Sequence, residues 1–357
     1  MQPYYTVNLS TPSLPPLWGP PVFFSGSPPK ITLAQYIQET WLPLEIDDGS
    51  RSANTVSFYR SMAKMMIDYF RDICLLDLTS DDIRQYFRYL RTSYVCKSGK
   101  QKGKKGASPT TVHDQYFVLN LVFQSAENRG VVSANPMKSI SCPKSPKKNV
   151  DAFTWEQAHI LQEALSACSA LDFRCILQLL LYSGIRRGEC VGLRWLDIDF
   201  KESTIHIQQN VTRVAGVGIV IGPPKTVNSI RMIPIPESTQ HLLKLLYQEE
   251  KSKYPNIDLR ETYIFHRKTD LFKPIDPSSL TKKVKKFMVS HGLPSFSPHD
   301  LRHSCASLML DCNVNIKRVQ DLLGHSNAST TLNSYVRQSS IDQLRESVNT
   351  LADSMIP

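Results

Sequence analysis

The sequence lacks several features that define other classes of protein. None of its apolar runs is long enough to cross a lipid bilayer. Its eight cysteines form no Cys-x-x-Cys pair, which disfavours a zinc site, and they lie within apolar runs, as reduced thiols do. The first 29 residues have no basic segment of the kind that begins a secretory signal. We therefore expect a cytoplasmic protein with no membrane partner, no metal and no cofactor.

Positive charge is in excess. Lysine and arginine together number 42, against 32 for aspartate and glutamate, so the formal net charge is +10. A basic balance of this size is typical of proteins that bind polyanions, although a merely solvated basic surface has the same composition. The length of 357 residues suggests about two domains.

The N-terminal third is predicted to be helical after an irregular start. Residues 1–30 are rich in proline and are expected to form an irregular arm, either a passive tail or a short element that contacts a partner. In the residues that follow, apolar side chains recur at helical spacing in four segments. Ser108 and Pro109 are typical of a helix start, and Asp82 is expected to cap the third helix. Four amphipathic helices predict a small bundle over residues 31–138.

Lysines are concentrated in two segments that lack apolar periodicity. The first segment, residues 97–106, contains no acidic residue, so we expect charge repulsion to keep it mobile without a counter-anion. The second segment, residues 139–151, contains two prolines and is expected to link two domains. The lysines concerned are Lys97, Lys100, Lys102, Lys104 and Lys105 in the first segment, and Lys144, Lys147 and Lys148 in the second.

The second half of the chain changes its hydrophobic period. Thr154 and Gln157 form a capping-box pattern, and a long helical region is expected to follow them. Over residues 198–235 the period shifts towards two, which predicts a three-stranded antiparallel sheet with Lys225 on the turn before its last strand. Helices are expected again beyond this sheet. The chain is therefore predicted to be mainly α-helical, with a small antiparallel β-sheet.

Residues 297–335 carry side chains suited to phosphate chemistry. Ser297 and Asp300 form a second capping-box pattern, which predicts that a helix begins there. Gly324 is predicted to end a later helix. The segment supplies one cation, two imidazoles and a phenol, which together would suit a phosphate oxyanion under attack: Arg302, His299, His325 and Tyr335.

The order of these residues resembles that of the tyrosine recombinases, or phage integrase family. The matching boxes are His-x-Leu-Arg-His at 299–303, Leu-Gly-His at 323–325 and the following Tyr335. Upstream, residues 184–189 fit the family's Gly-x-Arg-x-x-Glu box, and Lys225 fits its Lys-bearing β-hairpin. Five boxes in the family's order make the resemblance specific.

The resemblance implies a fold and a division of the chain. It implies a SAM-like helical bundle that binds core DNA at residues 31–138 and an α+β catalytic domain at residues 152–338. The basic linker at 139–151 would let the two domains close around duplex DNA. In the family, a C-terminal helix such as the one expected at residues 339–357 commonly docks on a neighbouring protomer. The alternative is that this helix packs on its own catalytic domain.

The resemblance also implies roles for individual residues. Arg186 and Arg302 would face the nonbridging oxygens of the scissile phosphate, because the arginine fork pairs with phosphate and stays charged. Lys225 would protonate the leaving 5′-oxygen, and His299 would take the proton of the nucleophile or hold the phosphate. The full catalytic set is Arg186, Lys225, His299, Arg302, His325 and the nucleophile Tyr335. Arg187 and Arg194, which lie near this box, are expected to form ordinary surface salt bridges.

The implied activity is site-specific recombination of double-stranded DNA without ATP or metal. Tyr335 would form a 3′-phosphotyrosyl bond, and the 5′-hydroxyl of a partner strand would reverse the attack. The exchange would pass through a Holliday junction in a homo-tetramer on paired sites, with an excisionase or a host DNA-bending protein as candidate accessory partners. The eight lysines would contact DNA phosphates. Two alternatives are a type IB topoisomerase-like enzyme and a DNA-binding protein without catalysis.

Overall fold

The computed structural model describes residues 30–97, 102–144, 152–224 and 229–324. The chain divides into two compact units, Met1–Pro146 and Lys147–Pro357, and each is considered by itself. Across the described ranges, no helix is both long and apolar enough to cross a membrane. The prediction of a mainly helical chain with small antiparallel β-structure is confirmed.

The first unit is built from helices that begin at polar caps. Its helices are α1 (Leu33–Gln35, continuing as a π-helix over Tyr36–Ile46), α2 (Ala53–Phe70), α3 (Ser80–Thr92) and α4 (Pro109–Asn128). Ser108 caps α4 with Pro109 in its first turn, as predicted. Asp82 is not the cap of α3; Thr79 is the N-cap, and the Asp82 carboxylate accepts from the Thr79 backbone N–H at 2.9 Å. The capping box therefore reads in the usual order, with the acid at the third helical position.

Aromatic side chains fill the core of this helical unit. Trp41, Tyr86 and Phe123 are fully buried among aliphatic residues from all four helices. The buried hydroxyl of Tyr86 donates to the Gln115 side-chain oxygen at 2.9 Å, so its burial leaves no unpaired polar group there. The aromatic residues on the apolar faces of the predicted helices therefore belong to the hydrophobic core.

The lysine-rich loop between α3 and α4 is partly ordered by backbone pairing. The Cys96 N–H donates to the Lys104 carbonyl at 3.0 Å, and Val95 pairs with Lys105 in an antiparallel bridge. Lys97 has a counter-anion within the protein, because its ammonium lies 2.6 Å from the Asp68 carboxylate of α2. The acid is 29 residues away in sequence, so the loop's own composition gave no sign of it.

The second unit is also built mainly from helices, which pack around a hydrophobic core of their own. Its helices are α5 (Trp155–Ala167), α6 (Leu171–Tyr182), α7 (Arg187–Val191), α8 (Glu237–Lys253), α9 (Pro277–Ser290), α10 (Pro298–Asp311) and α11 (Ile316–Leu323). Thr154 and Gln157 form the predicted capping box at α5. The long helical region expected after it is interrupted, because Cys168 and Ala170 have extended backbones. After this break, α6 is buried on nearly every side.

The strands form three small antiparallel sheets. Strands β1 (Ile198–Asp199), β2 (Thr204–Ile207) and β5 (Arg231–Pro234) make the three-stranded sheet, with Ile205 opposite Ile233. Strands β3 (Asn210–Val214) and β4 (Gly218–Gly222) form a separate hairpin, and β6 (His266–Arg267) and β7 (Asp270–Pro274) form another. The described part of the segment predicted to hold one sheet therefore holds five strands in two sheets. Lys225 falls between β4 and β5, outside the described residues.

Glycine allows α7 to approach its neighbours closely. A Cβ built on Gly188 would lie 2.5 Å from the Val211 carbonyl oxygen and would also overlap the Asn210 side chain. Gly184, in the turn before α7, has a φ of +56°, and its Cβ would lie 2.5 Å from the Leu323 side chain. Strand β3 and the end of α11 thus pack directly against the backbone around α7.

We expect Gly188→Ala to destabilise the protein by about 1–3 kcal/mol, because the added methyl group meets the β3 backbone and the strand must move. Gly222→Ala is the matched control, since a Cβ there has nothing within 4 Å and needs no left-handed backbone. Chemical denaturation of the two variants measures both effects. Equal stability of the two variants would contradict the close packing of α7 on β3.

Candidate active site

Arg186 is placed by the turn that begins α7. It is the N-cap of this helix, and its backbone N–H donates to the Glu189 carboxylate at 2.9 Å. Its guanidinium donates to the same carboxylate at 2.7 Å. A second guanidinium nitrogen donates to the Gly324 carbonyl at 3.0 Å. The side chain is therefore held at both ends of its fork and is still about one-third exposed.

Glu189 is the anion that organises these cations. Its side chain is 1% exposed and also accepts from Arg231, whose guanidinium lies 3.0 Å away. Burial raises the pKa of Glu189, but hydrogen bonds and charge from Arg231 and the charge of Arg186 outweigh burial, so its pKa is lowered. One carboxylate thus faces two guanidinium groups, which leaves a net positive charge at this position.

Three arginines donate hydrogen bonds to the carbonyl groups of the last three residues at the C-terminal end of α11. Leu322 accepts from Arg231 at 2.8 Å, Leu323 accepts from Arg302 at 2.6 Å, and Gly324 accepts from Arg186. Gly324 has a φ of +64° and ends the helix as predicted. Cations at a helix C-terminus satisfy its free carbonyl groups and complement its dipole. The residue that follows this anchored end in the sequence is His325.

Arg302 is buried where three segments of the second unit meet. It is 1% exposed, and besides the Leu323 carbonyl it donates to the Gly184 carbonyl at 2.6 Å. This arginine therefore joins α10, the turn before α7 and the end of α11.

Helix α10 carries two histidines in contact. Ser297 and Asp300 form the predicted capping box, which sets the start of this helix. The Nε2 atoms of His299 and His303 lie 3.0 Å apart. Burial lowers the pKa of both imidazoles, with help from the charge of Arg302, and the pKa of His303 falls to about 4. Both histidines are therefore neutral at neutral pH.

Side chains from α7 and α10 line a cleft of about 320 Å³ in the second unit. Three of the six predicted catalytic residues line it: Arg186 from the start of α7, and His299 and Arg302 from α10. The other three, Lys225, His325 and Tyr335, lie outside the described residues. The remaining side chains of the wall are mostly polar or small: Arg187, Asn210, Val211, Thr212, Thr281, Ser297 and Pro298.

Sequence reasoning missed two of the arginines. Arg187 lines the cleft and donates to the Thr281 hydroxyl at 2.8 Å, although it was expected to form a surface salt bridge. Arg231, which pairs with Glu189, was not among the predicted catalytic residues. In contrast, the salt bridges expected for Arg194 are present, with Asp197 and Glu261.

The predicted DNA-contacting lysines can be located only in part. Those that fall in the described ranges of the first unit are all exposed: Lys97, Lys102, Lys104, Lys105 and Lys144. Lys100, Lys147 and Lys148 lie outside these ranges. Within the parts of the chain that the structure describes, no group of three or more His, Cys, Asp and Glu side chains is arranged to hold a metal ion.

Comparison with known proteins gives the family. The sequence model of the phage integrase family matches residues 153–340, and that of the phage integrase SAM-like domain matches residues 33–144. The chain therefore belongs to the phage integrase family, the tyrosine recombinases. Its activity is site-specific breakage and rejoining of DNA strands, and neither a topoisomerase-like role nor a purely DNA-binding role is favoured.

Relatives and solved structures agree with this assignment. A XerC-like tyrosine recombinase from Caldanaerobacter subterraneus subsp. tengcongensis is 29% identical over 322 residues, which cover 84% of this chain and 78% of that one. The ICEBs1 integrase of Bacillus subtilis is 24% identical over 275 residues, covering 76% and 70%. The structure of the Tn1549 transposon integrase in complex with a circular intermediate DNA shares the fold, with a TM-score of 0.72 at 20% identity over 90% of this chain and 99% of that one. A lambda integrase tetramer bound to a Holliday junction has a TM-score of 0.60 at 18% identity, covering 87% and 80%.

We expect the lowered pKa of His303 to make stability depend on pH. The folded state binds this proton only near pH 4, whereas an unfolded chain binds it near the ordinary value of 6.5, so stability is lost as the pH falls between these values. His303→Gln should lose less stability over this interval than the wild type, by about 2 kcal/mol. His159→Gln, at an exposed histidine of α5, is the control. The measurement is denaturant unfolding at a series of pH values, and parallel pH profiles for wild type and His303→Gln would contradict the expectation.

Proposed function

We propose that this recombinase cuts DNA with Tyr335 as nucleophile, and that the cleft of α7 and α10 receives the scissile phosphate. The observation that carries the proposal is the meeting of Arg186, His299 and Arg302 around one cleft. Arg186 lies 116 positions before Arg302 in the sequence, and it was selected from a different box than His299 and Arg302. A surface of unrelated function would have no need to bring them together.

The charge of the cleft supports phosphate binding. Arg186 and Arg231 share the single carboxylate of Glu189, and Arg302 is held by carbonyl groups. These hydrogen bonds fix the guanidinium groups before DNA arrives. Fixed cations of this kind stabilise the charge that accumulates on the nonbridging oxygens as phosphorus becomes five-coordinate.

The protonation state of His299 supports its role as an acceptor. Its pKa is lowered by burial and by the charge of Arg302, Arg186 and Arg187. A neutral imidazole can take the phenol proton as the Tyr335 oxygen attacks phosphorus. The bond from phosphorus to the 5′-oxygen then breaks, and Lys225 gives its proton to that oxygen. His325 would donate a hydrogen bond to the phosphate, completing the set.

Rejoining follows by the reverse steps. The 5′-hydroxyl of a partner strand attacks the 3′-phosphotyrosyl bond and releases Tyr335, so the bond energy is conserved and ATP is not consumed. We propose that two such exchanges occur in a homo-tetramer on paired DNA sites. Two structural neighbours support this assembly: the Tn1549 integrase in complex with a circular intermediate DNA, and a lambda integrase tetramer bound to a Holliday junction.

We further propose the division of the chain into functional parts. Residues 31–138 would form the core-DNA-binding domain, 139–151 the basic linker and 152–338 the catalytic domain, after an arm at 1–30. The exposed lysines of the first unit would contact DNA phosphates. Residues 339–357 would dock on a neighbouring protomer. The protein would act in the cytoplasm, with an excisionase or a host DNA-bending protein as accessory partner.

We expect Tyr335→Phe to bind its DNA site but to form no covalent adduct, because phenylalanine lacks the attacking oxygen. The assay is a suicide substrate that is nicked near the cleavage point and analysed on a denaturing gel. The wild type should give a protein–DNA band. The same band from the Phe variant would refute Tyr335 as the nucleophile.

We expect Lys225→Ala to slow cleavage mainly through loss of the acid. A substrate with sulfur at the 5′-bridging position leaves without protonation, so its cleavage by this variant should recover. Arg186→Ala is the matched control, because it removes charge stabilisation of the nonbridging oxygens and should not be rescued by sulfur. Equal loss of Lys225→Ala activity on the oxygen and sulfur substrates would exclude the acid role.

A further inference from the structure

Arg187 is a cation whose place in the cleft is not explained by the protein alone. It is half-buried, and its guanidinium donates to the neutral Thr281 hydroxyl of α9. Burial lowers the pKa of Arg187, and the charge of Asp276 partly offsets this effect. Among the ion pairs within 4.0 Å that join described residues, none includes Arg187.

The carboxylate whose charge acts on Arg187 already has other partners. Asp276 pairs with the guanidinium of Arg213 and accepts from the Ser278 backbone N–H at 2.7 Å. Two other partly buried arginines of this unit have acidic partners, as Arg231 has Glu189 and Arg194 has Asp197. A charge withdrawn from water without an ionic partner costs free energy, so a position of this kind favours an external anion.

The base of the Arg187 side chain is rigid. It is the first residue of α7, and the next residue, Gly188, packs directly on strand β3. The Thr281 hydroxyl holds the far end of the side chain. Neighbouring Asn210 and Thr212 add polar groups to the same wall. A guanidinium fixed at both ends needs little ordering when it binds a planar or tetrahedral anion.

We infer that Arg187 binds a DNA phosphate next to the scissile one. The inference rests on the proposed function, because it takes the cleft as the place where the DNA backbone lies. Arg186 and Arg302 would hold the phosphate under attack, while Arg187, on the Thr281 wall, holds the neighbouring phosphate of the same strand. This contact positions the strand and carries no sequence information.

The competing explanation is purely structural. In that case Arg187 serves only to tie α7 to α9 through Thr281, and its charge is irrelevant. Thr281→Val separates the role of the hydrogen bond from the role of the Arg187 charge. This substitution keeps the shape of the side chain and the charge of Arg187 but removes the hydrogen bond between them.

The test measures binding of a fluorescent duplex of arbitrary sequence by anisotropy over a range of salt concentrations. We expect Arg187→Gln to lower affinity roughly tenfold at low salt, as for loss of one charge-assisted hydrogen bond. The slope of log affinity against log salt should become shallower by about 0.9, the value for one phosphate contact. Thr281→Val and Arg194→Gln should retain the wild-type slope, since neither removes an unneutralised charge.

Arg187→Lys keeps the experiment decisive if the Gln variant does not fold. Lysine preserves the charge but not the fork, so the salt slope should be retained while affinity falls severalfold. Wild-type affinity in Arg187→Lys, or an unchanged slope in Arg187→Gln, would overturn the inference. Thermal unfolding of each variant separates these results from loss of the folded state.

The outcome is separable from that of the catalytic proposal. The binding assay does not require cleavage, and the suicide-substrate assay of Tyr335 does not require Arg187. If the wild type forms the covalent adduct while Arg187→Gln keeps the full salt slope, only the Arg187 contact is refuted. If the slope falls but no adduct forms, only the catalytic assignment is refuted.

Discussion

The buried carboxylate of Glu189 is the interaction on which the cleft depends. It is the single anion between Arg186 and Arg231, two cations that in turn hold the end of α11. Removing this carboxylate would leave two guanidinium groups close together in a region of restricted solvation, which is strongly unfavourable. Its lowered pKa keeps it charged at neutral pH, so the arrangement does not depend on any change of protonation.

The arginines of the cleft combine two tasks that are usually separate. Arg302 and Arg186 donate to the carbonyl groups of Leu323 and Gly324, which a helix otherwise leaves to water. The same guanidinium groups line the cleft that is proposed to hold phosphate. Because carbonyl groups are neutral acceptors, they orient the guanidinium fork without cancelling its charge. The end of α11, and with it the start of the segment that leads to Tyr335, is thereby tied to the proposed phosphate site.

The environment of the cleft gives the histidines and the arginines different protonation states. Burial and neighbouring positive charge favour the neutral form of an imidazole, whereas arginine stays protonated in the same surroundings. One cleft therefore offers permanent cations for charge stabilisation together with a neutral acceptor for a proton. A carboxylate in the position of His299 would oppose phosphate binding by its charge, and a lysine could not accept a proton near neutral pH without a large shift of its pKa.

The sequence by itself determined the features that depend on near neighbours in the chain. The capping boxes at Thr154 and Ser297 and the left-handed stop at Gly324 were predictable, because each involves residues three or four positions apart. The mainly helical fold followed from hydrophobic periodicity, and the family and the candidate catalytic residues followed from the order of the sequence motifs. Only the tertiary structure decided which charges find partners. Lys97 meets Asp68, Arg231 meets Glu189 and Arg187 meets no carboxylate among the described residues, since pairing across 29 or 42 positions is set by how the helices and strands pack.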